Sequence, residues 1–266
     1  MSAIRLDELT SLILAPNPSA MTLEGTNTYL VGATDSGEIM VVDPGPDHPD
    51  HRAAIDAAVR ERGAAVAAVI LTHHHVDHAE AAGWAQLWDA PLWAFAPPLV
   101  PGNARALTDG ATIRAGGTTI EALHTPGHAS DHLCLRVRDS GAVLTGDHVL
   151  GRGTSVVAWP DGDMTAYVAS LRRLATVPAT VLYPGHGPVL HDPGRAIADY
   201  LAHRELREGQ VLAALAAGDR TPGEIVARVY ADVDAALHPA AERSVRAHLD
   251  KLQGEGRALQ REGIWR

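Results

Sequence analysis

The stretch Ala67-Ala68-Val69-Ile70-Leu71-Thr72-His73-His74-His75-Val76-Asp77-His78 decides how this chain is read. Residues 67–71 have the apolar, β-branched character of a buried strand, and residues 79–88 have that of a helix. Four imidazoles and a carboxylate therefore emerge at a strand's end. On a helix His73 and His75 would point apart, whereas in extended chain residues two apart project to the same side and can grip one ion. Imidazole and carboxylate without a neighbouring thiolate suit zinc first, with manganese or iron as alternatives. A purification tag would sit at a terminus, and this run is internal. Asp77 and Glu80 also have the spacing of an N-cap and its N3 partner for the following helix, a reading compatible with metal binding.

Working outward, residues 25–32 and 38–42 read as strands, and the turn Asp43-Pro44-Gly45-Pro46 leads to a helix over 50–62. Short strands are expected near 92–95 and 111–114. A stronger one at 118–123 enters His124-Thr125-Pro126-Gly127-His128, and strands at 133–137 and 142–145 lead to Gly146-Asp147-His148. A helix is expected over 163–175, and a strand over 180–183 that ends in Pro184-Gly185-His186. Taken singly, His128, Asp147 and His186 are ordinary turn residues. Together with residues 73–78 they form four strand-end turns, with enough His and Asp for two metal ions and a shared carboxylate.

Composition narrows the function classes. The 266 residues suffice for one large domain with a small appendage, and 46% hydrophobic with 20% charged residues is ordinary for a globular protein. A net charge of -10, with Lys251 the single lysine, lacks the basic excess of a general nucleic-acid binder. Residues 1–200 hold 12 basic and 22 acidic side chains and residues 201–266 hold 10 of each, so a domain boundary is expected near 200. The single cysteine, Cys134, lies in an apolar run and reads as core. With no basic, apolar leader and no apolar run near the roughly 18 residues of a membrane span, a cytoplasmic protein without membrane association is expected.

The motif order H-x-H-x-D-H at 73–78, T-P-G-H ending at His128, G-D at 146–147 and P-G-H ending at His186 resembles the metallo-β-lactamase superfamily. That resemblance implies an α/β (α+β) fold: a four-layered αβ/βα sandwich, two mixed sheets face to face with helices outside, and a site along one edge. It also implies that His73, His75 and His128 hold one zinc, that Asp77, His78 and His186 hold a second, and that Asp147 bridges them. Two zinc ions about 3.5–4 Å apart can share a water and lower its pKa towards about 7, giving a hydroxide nucleophile that Asp77 orients.

The likeness extends further. Asn17-Pro18, the stretch Thr22-Leu23-Glu24-Gly25-Thr26-Asn27-Thr28-Tyr29-Leu30, the turn at 183–188 and His203-Arg204 with Arg207-Glu208 resemble the β-lactamase-like protein 2 family. This implies a catalytic domain over 1–200 and a winged-helix-like domain over 201–266. In the latter, Thr221-Pro222-Gly223-Glu224 reads as a capping box, residues 224–230 and 239–253 as helices, and 256–265 as the wing.

Several residues carry two readings. Asp43 is an acceptor that fixes a ligand imidazole through its free N–H, or a turn-former before Pro44. Asn27 and His132 are candidates near the site, the latter by likeness to the glyoxalase II pattern T-P-G-H-x-x-x-H. His148 reads as a supporting or surface residue, and Glu80 adds a carboxylate beside the metal loop. Three activities follow. The first is a single-stranded RNA endoribonuclease, implied by the second resemblance, with Arg204, Arg207, Arg243, Arg246 and Lys251 meeting phosphates or forming solvated faces. The second is an acyl thioester or lactone hydrolase, with Trp93, Phe95 and Trp159 lining a pocket or filling the core. The third is a non-catalytic nucleic-acid module, disfavoured by the complete ligand set. A β-lactamase role is set aside for want of a secretion signal. Oligomeric state is not legible.

Overall fold

Two mixed sheets carry the chain's chemistry. A computed structural model describes residues 2–266, which divide into two units: residues up to 125 with 131–153 and 177–193, and residues 126–130, 154–176 and 194–266. In the first unit a seven-stranded sheet runs in order β1 (Ile4–Arg5), β2 (Thr10–Leu14), β3 (Asn27–Val31), β4 (Glu38–Val42), β5 (Ala65–Ile70), β6 (Leu92–Ala94) and β7 (Arg105–Ala106). Strands β1 to β4 pair antiparallel, and β4 to β7 pair parallel. The second sheet comprises β8 (Thr112–Ala115), β9 (Thr118–His124), β10 (Leu133–Val137), β11 (Ala142–Gly146) and β12 (Val181–Pro184), antiparallel except for the parallel pair β11 and β12.

Alternation along the strands builds two cores. Tyr29, Val31, Met40, Val42, Ala68 and Ile70 pack with Ile120, Ala122, Leu133, Leu135 and Leu144 of the second sheet. Their neighbours Leu30, Ile39, Val41 and Val69 pack with Ile55 and Val59 of α1 (Pro49–Glu61). Burial on both faces explains why β4 and β5 read as unbroken apolar runs. Helix α1 starts with Pro49 at its first turn and with the His48 side chain accepting from the Asp50 N–H at 3.3 Å.

The helix expected over 79–88 is broken. Val76–Ala79 forms a single turn, α2, followed by a 3-10 turn at Glu80–Gly83 and a second short helix, α3 (Trp84–Leu87). Nor do Asp77 and Glu80 make the capping pair. His75 holds the N-cap position, and Glu80 Oε2 accepts instead from the Asp47 N–H at 3.1 Å. Asp77 lies inside the turn, its carboxylate drawn towards His186.

The second unit is helical. It comprises α4 (Met164–Leu174), α5 (Pro193–Ala216), α6 (Pro222–Val229) and α7 (His238–Gly254), with the hairpin β13 (Gln260–Arg261) and β14 (Ile264–Trp265). The boundary expected near 200 falls inside α5. Asp163 caps α4, and Thr221 with Glu224 closes the capping box of α6. Val211, Ile225, Val245, Leu249 and Leu252 form the core with Trp265, which is fully buried at the tip of the chain's expected wing. Among the described residues no helix is long and apolar enough to cross a membrane.

Candidate metal centre

Parallel pairing assembles the site. Because β4 and β5 run parallel with Val42 opposite Ile70, the residues leaving them, Asp43 and Thr72, emerge together. Because β11 and β12 run parallel with Gly146 opposite Pro184, so do Asp147 and His186. Carboxyl ends of parallel strands are where α/β proteins commonly place their chemistry. The Gly185 N–H donates to Gly146 O at 2.7 Å, and the Asn27 N–H donates to Gly185 O at 2.8 Å. No side chain fits at 185: a Cβ there would lie 2.6 Å from Asp147 Oδ1 and 2.7 Å from His78 Cε1.

Within the first unit, four donor atoms converge. His78 Nε2 lies 3.2 Å from His186 Nε2 and 3.4 Å from Asp147 Oδ1, while His186 Nε2 lies 3.1 Å from Asp77 Oδ2 and 3.4 Å from Asp147 Oδ1. Each ring is oriented from behind. His78 Nδ1–H donates to Asp43 Oδ2 at 2.8 Å and His186 Nδ1–H to Gly25 O at 3.1 Å, so both Nε2 atoms face the convergence point. Two buried imidazole nitrogens facing each other between two carboxylates, Asp147 buried and Asp77 partly exposed, form a donor set that fits a divalent cation. His73 lies alongside, its ring 4.3 Å from that of His78 and its Nε2 3.0 Å from His75 Nδ1. The ligand atoms of Asp77, His78 and His186, and those of His73, His78 and Asp147, lie within 4.8 Å of one another.

Without metal, the cluster holds protons on its imidazoles. Burial lowers the pKa of His78, but the Asp147, Asp43 and Asp77 carboxylates outweigh it and raise it well above the usual range. His186 is raised to about 9, burial again being overcome by Asp147 and Asp77. Conversely, burial pushes Asp77 up while His78 and His186 bring it down to about 2, and the same imidazoles hold Asp147 well below the carboxylate range.

The supporting residues are specific. Asp43, buried with φ 49°, also accepts from the Thr72 N–H and Thr72 Oγ1–H, each at 2.7 Å. Asn27 Nδ2 donates to Pro184 O at 2.8 Å and Gly187 O at 2.9 Å, clamping the His186 turn. His132 sits behind Asp147, bonded to Thr125 Oγ1 at 2.9 Å and accepting the Asp147 N–H at 3.1 Å. His148 is fully buried with its ring 5.8 Å from that of His132, which excludes the surface reading. His74 pairs with Asp131 at 2.8 Å. His128 belongs to the second unit, where its Nδ1–H donates to Val156 O at 2.7 Å and lies 3.0 Å from Ser155 Oγ.

Other expectations are corrected. Arg204 is 5% exposed, donates through Nη2 to Ser155 O and lies over the Tyr167 ring at 4.9 Å, so it forms neither a solvated face nor an exposed phosphate contact. Arg207 lies over Tyr230 at 4.5 Å and donates to Gln210 and Val229 O. Arg246 lies over Trp159 at 4.5 Å, and Lys251 pairs with Glu208 and Glu255. Trp93 and Phe95 pack against the sheet core, and Phe95 stacks on His124 at 3.7 Å; Trp159 is 40% exposed. Sequence reasoning missed Thr72, the Gly25 carbonyl and Ser155, whose roles depend on which strand ends meet.

Residues 21–186 match the metallo-beta-lactamase superfamily and residues 221–265 the beta-lactamase associated winged helix domain. The thioesterase pkgB of Emericella nidulans is 37% identical over 203 residues, which cover 76% of this chain but only 58% of that protein. The beta-lactamase-like protein 2 homolog of Drosophila melanogaster is 32% identical over 273 residues, covering 95% of this chain and 90% of that one. Among solved structures, a metallo-beta-lactamase family protein from Thermus thermophilus superposes with a TM-score of 0.81 at 24% identity, covering 96% of this chain and 97% of its own. The chain belongs to the metallo-beta-lactamase superfamily and carries its associated winged helix domain at the C-terminal end.

Proposed function

We propose that this chain is a hydrolase that works with two divalent metal ions, zinc first with manganese or iron as alternatives, and that its substrates are acyl thioesters. The observation that carries the reading is the convergence of His78 Nε2, His186 Nε2, Asp77 and Asp147 from the turns that follow β5, β11 and β12. In the proposed assignment Asp77, His78 and His186 serve one ion, His73, His75 and His128 the other, and Asp147 both. When bound, the ions supply Lewis acidity for a carbonyl oxygen and acidify a water.

The chain's own residues supply the rest. Asp77, a carboxylate at the convergence point, orients the attacking water as well as serving as a ligand. Asp43 and the Gly25 carbonyl hold the His78 and His186 rings with Nε2 forward, and Asn27 and His132 hold the turns that deliver His186 and Asp147. Water adds to the thioester carbonyl, the C–S bond breaks, and the products are a carboxylic acid and a thiol.

The thioester reading is supported by the likeness to a protein named a thioesterase and by the engagement within the chain of Arg204, Arg207, Arg246 and Lys251, four of the five basic side chains expected to meet RNA, the exposed Arg243 being the fifth. RNA, the first expectation from sequence, is the second reading. It is weakened by the burial of Arg204, the packing of Arg207 and Arg246 on aromatic rings, and the pairing of Lys251 with glutamates. The test is release of thiol from a panel of acyl thioesters by zinc-loaded protein, beside cleavage of end-labelled single-stranded RNA, with Asp77→Ala purified in parallel. Thiol release lost in the variant supports the reading. Metal-dependent RNA cleavage without thiol release refutes it in favour of the nuclease.

A further inference from the structure

His128 is held by a loop rather than by a strand or helix. Residues 154–158 lie in neither, yet the Val156 carbonyl takes the His128 Nδ1–H at 2.7 Å and so fixes which ring nitrogen is presented outward. A carbonyl with no ladder to hold it must be held from elsewhere. The loop's successive carbonyls have separate partners. Val156 O points to His128, while Ser155 O accepts from Arg204 Nη2, Val157 O accepts from Ser244 Oγ at 3.2 Å, and the Trp159 N–H donates to Arg243 O at 3.4 Å. Residues 155, 157 and 159 are thus tied to α5 and α7, and residue 156 between them is aimed at the imidazole.

The turn bearing His128 is anchored to the same segment. The Asp163 N–H donates to Gly127 O at 2.9 Å, Ser170 Oγ donates to Pro126 O at 2.8 Å, and the Ser130 N–H donates to Asp161 Oδ2 at 3.1 Å. Gly127, with φ 135°, packs so closely on α4 that a Cβ would lie 2.3 Å from Tyr167 Cα. The guanidinium of Arg204 covers the ring of that same tyrosine. Among the described residues no carboxylate pairs with Arg204, so a buried cation is held by one carbonyl and one aromatic ring. Burying a guanidinium is costly, and such an arrangement persists only with the loop in this position.

We propose that Arg204 is a positioning residue for the His128 imidazole, so that the C-terminal helices set the affinity of the metal position His128 serves. This rests on the ligand assignment proposed above. The residues that orient His78 and His186, namely Asp43, Gly25 and Asn27, all belong to the first unit. The effect of Arg204 is therefore selective for one of the two ions.

The test is titration of the metal-free full-length protein with zinc(II) against a chromophoric chelator, resolved into two dissociation constants. Arg204→Met, which keeps the side chain's length without its donors, is expected to weaken one constant about tenfold and leave the other unchanged. Arg204→Lys is expected to recover part of the loss, since it restores a donor without the planar fork. The unchanged constant reports that the fold is intact. Should Arg204→Met fail to fold, Ser244→Ala removes only the hydroxyl holding Val157 O and is expected to weaken the same constant by a smaller factor. Both constants unchanged, or both shifted together, overturns the proposal. His128→Ala distinguishes the two levels: if it removes no ion the ligand assignment itself fails, and if it removes one while Arg204→Met changes nothing, only the positioning role fails.

Discussion

Replacing Asp43 by asparagine isolates the role of one hydrogen bond in metal binding. Asp43 Oδ1 accepts the Thr72 N–H, and Oδ2 accepts both Thr72 Oγ1–H and His78 Nδ1–H. Asparagine keeps the size and tolerates φ 49°, so no backbone strain is added. If the amide oxygen stays on the Thr72 N–H, the amide NH2 faces His78 Nδ1 and donates to it. The imidazole proton then moves to Nε2, the nitrogen 3.2 Å from His186 Nε2 that metal binding requires. The flipped amide instead sets its NH2 against the buried Thr72 N–H, leaving donors unsatisfied at about 1–3 kcal/mol. Either way metal affinity falls, by about 10- to 100-fold for the loss of such an orienting partner, or about 1.4–2.7 kcal/mol. The assay is zinc competition on metal-free Asp43→Asn, with circular dichroism to confirm the fold. Two dissociation constants within about twofold of the unsubstituted protein would refute the claim that His78 is oriented through Asp43.

Zinc affinity is expected to climb between pH 6.5 and 9, about tenfold per pH unit for each proton displaced, because His186 titrates at about 9 and must lose its proton to bind; a flat profile by competition titration counts against this. In the metal-free chain the sign reverses: the raised His186 contributes stability that is complete below its ordinary value of 6.5 and is lost as pH rises through about 9. The depressed Asp77 contributes stability present above 3.8 and lost as pH falls through about 2. Melting temperatures of metal-free protein across both windows check the two signs. Gly127→Ala is expected to destabilise by at least ~3 kcal/mol, since its Cβ overlaps the α4 backbone and its φ is 135°; an unchanged thermal midpoint would contradict that packing. Asn27→Ala removes one buried and one partly buried bond to the His186 turn and is expected to cost about 1–3 kcal/mol in urea unfolding, with weaker zinc binding at that position.

Much of the architecture was legible because burial leaves a periodic trace. Residues 38–42 and 133–137 were readable as strands to the residue, since both faces of β4 are buried and β10 is walled by apolar neighbours. Helix α1 is legible from its alanine-rich composition after a Pro-Gly turn, and the capping box of α6 from its Thr–Glu pair. The segment after His78 reads as one helix from its composition, whereas the structure divides it into a 3-10 turn and a short helix, beside an Asp77 carboxylate pulled towards His186, a residue more than a hundred positions away. Nothing local encodes that pull.

The sequence by itself determined which chemistry is present: imidazoles and carboxylates at turns, in an order that resembles one superfamily, with too little positive charge for a general nucleic-acid binder. Only the tertiary structure decided how those groups are used. Arg204 alternates in sign with its neighbours like any solvated arginine, yet it is buried on Tyr167 and holds the Ser155 carbonyl. Asp43 reads equally as a turn-former and as an acceptor for a ligand imidazole, and parallel pairing of β4 with β5, which brings it to Thr72 and His78, decides for the second. The physical reason is one of range. Residue type and spacing report what a side chain can do and which face of its own element it occupies, but its partners are set by which strand ends and loops the packed cores bring within hydrogen-bonding distance.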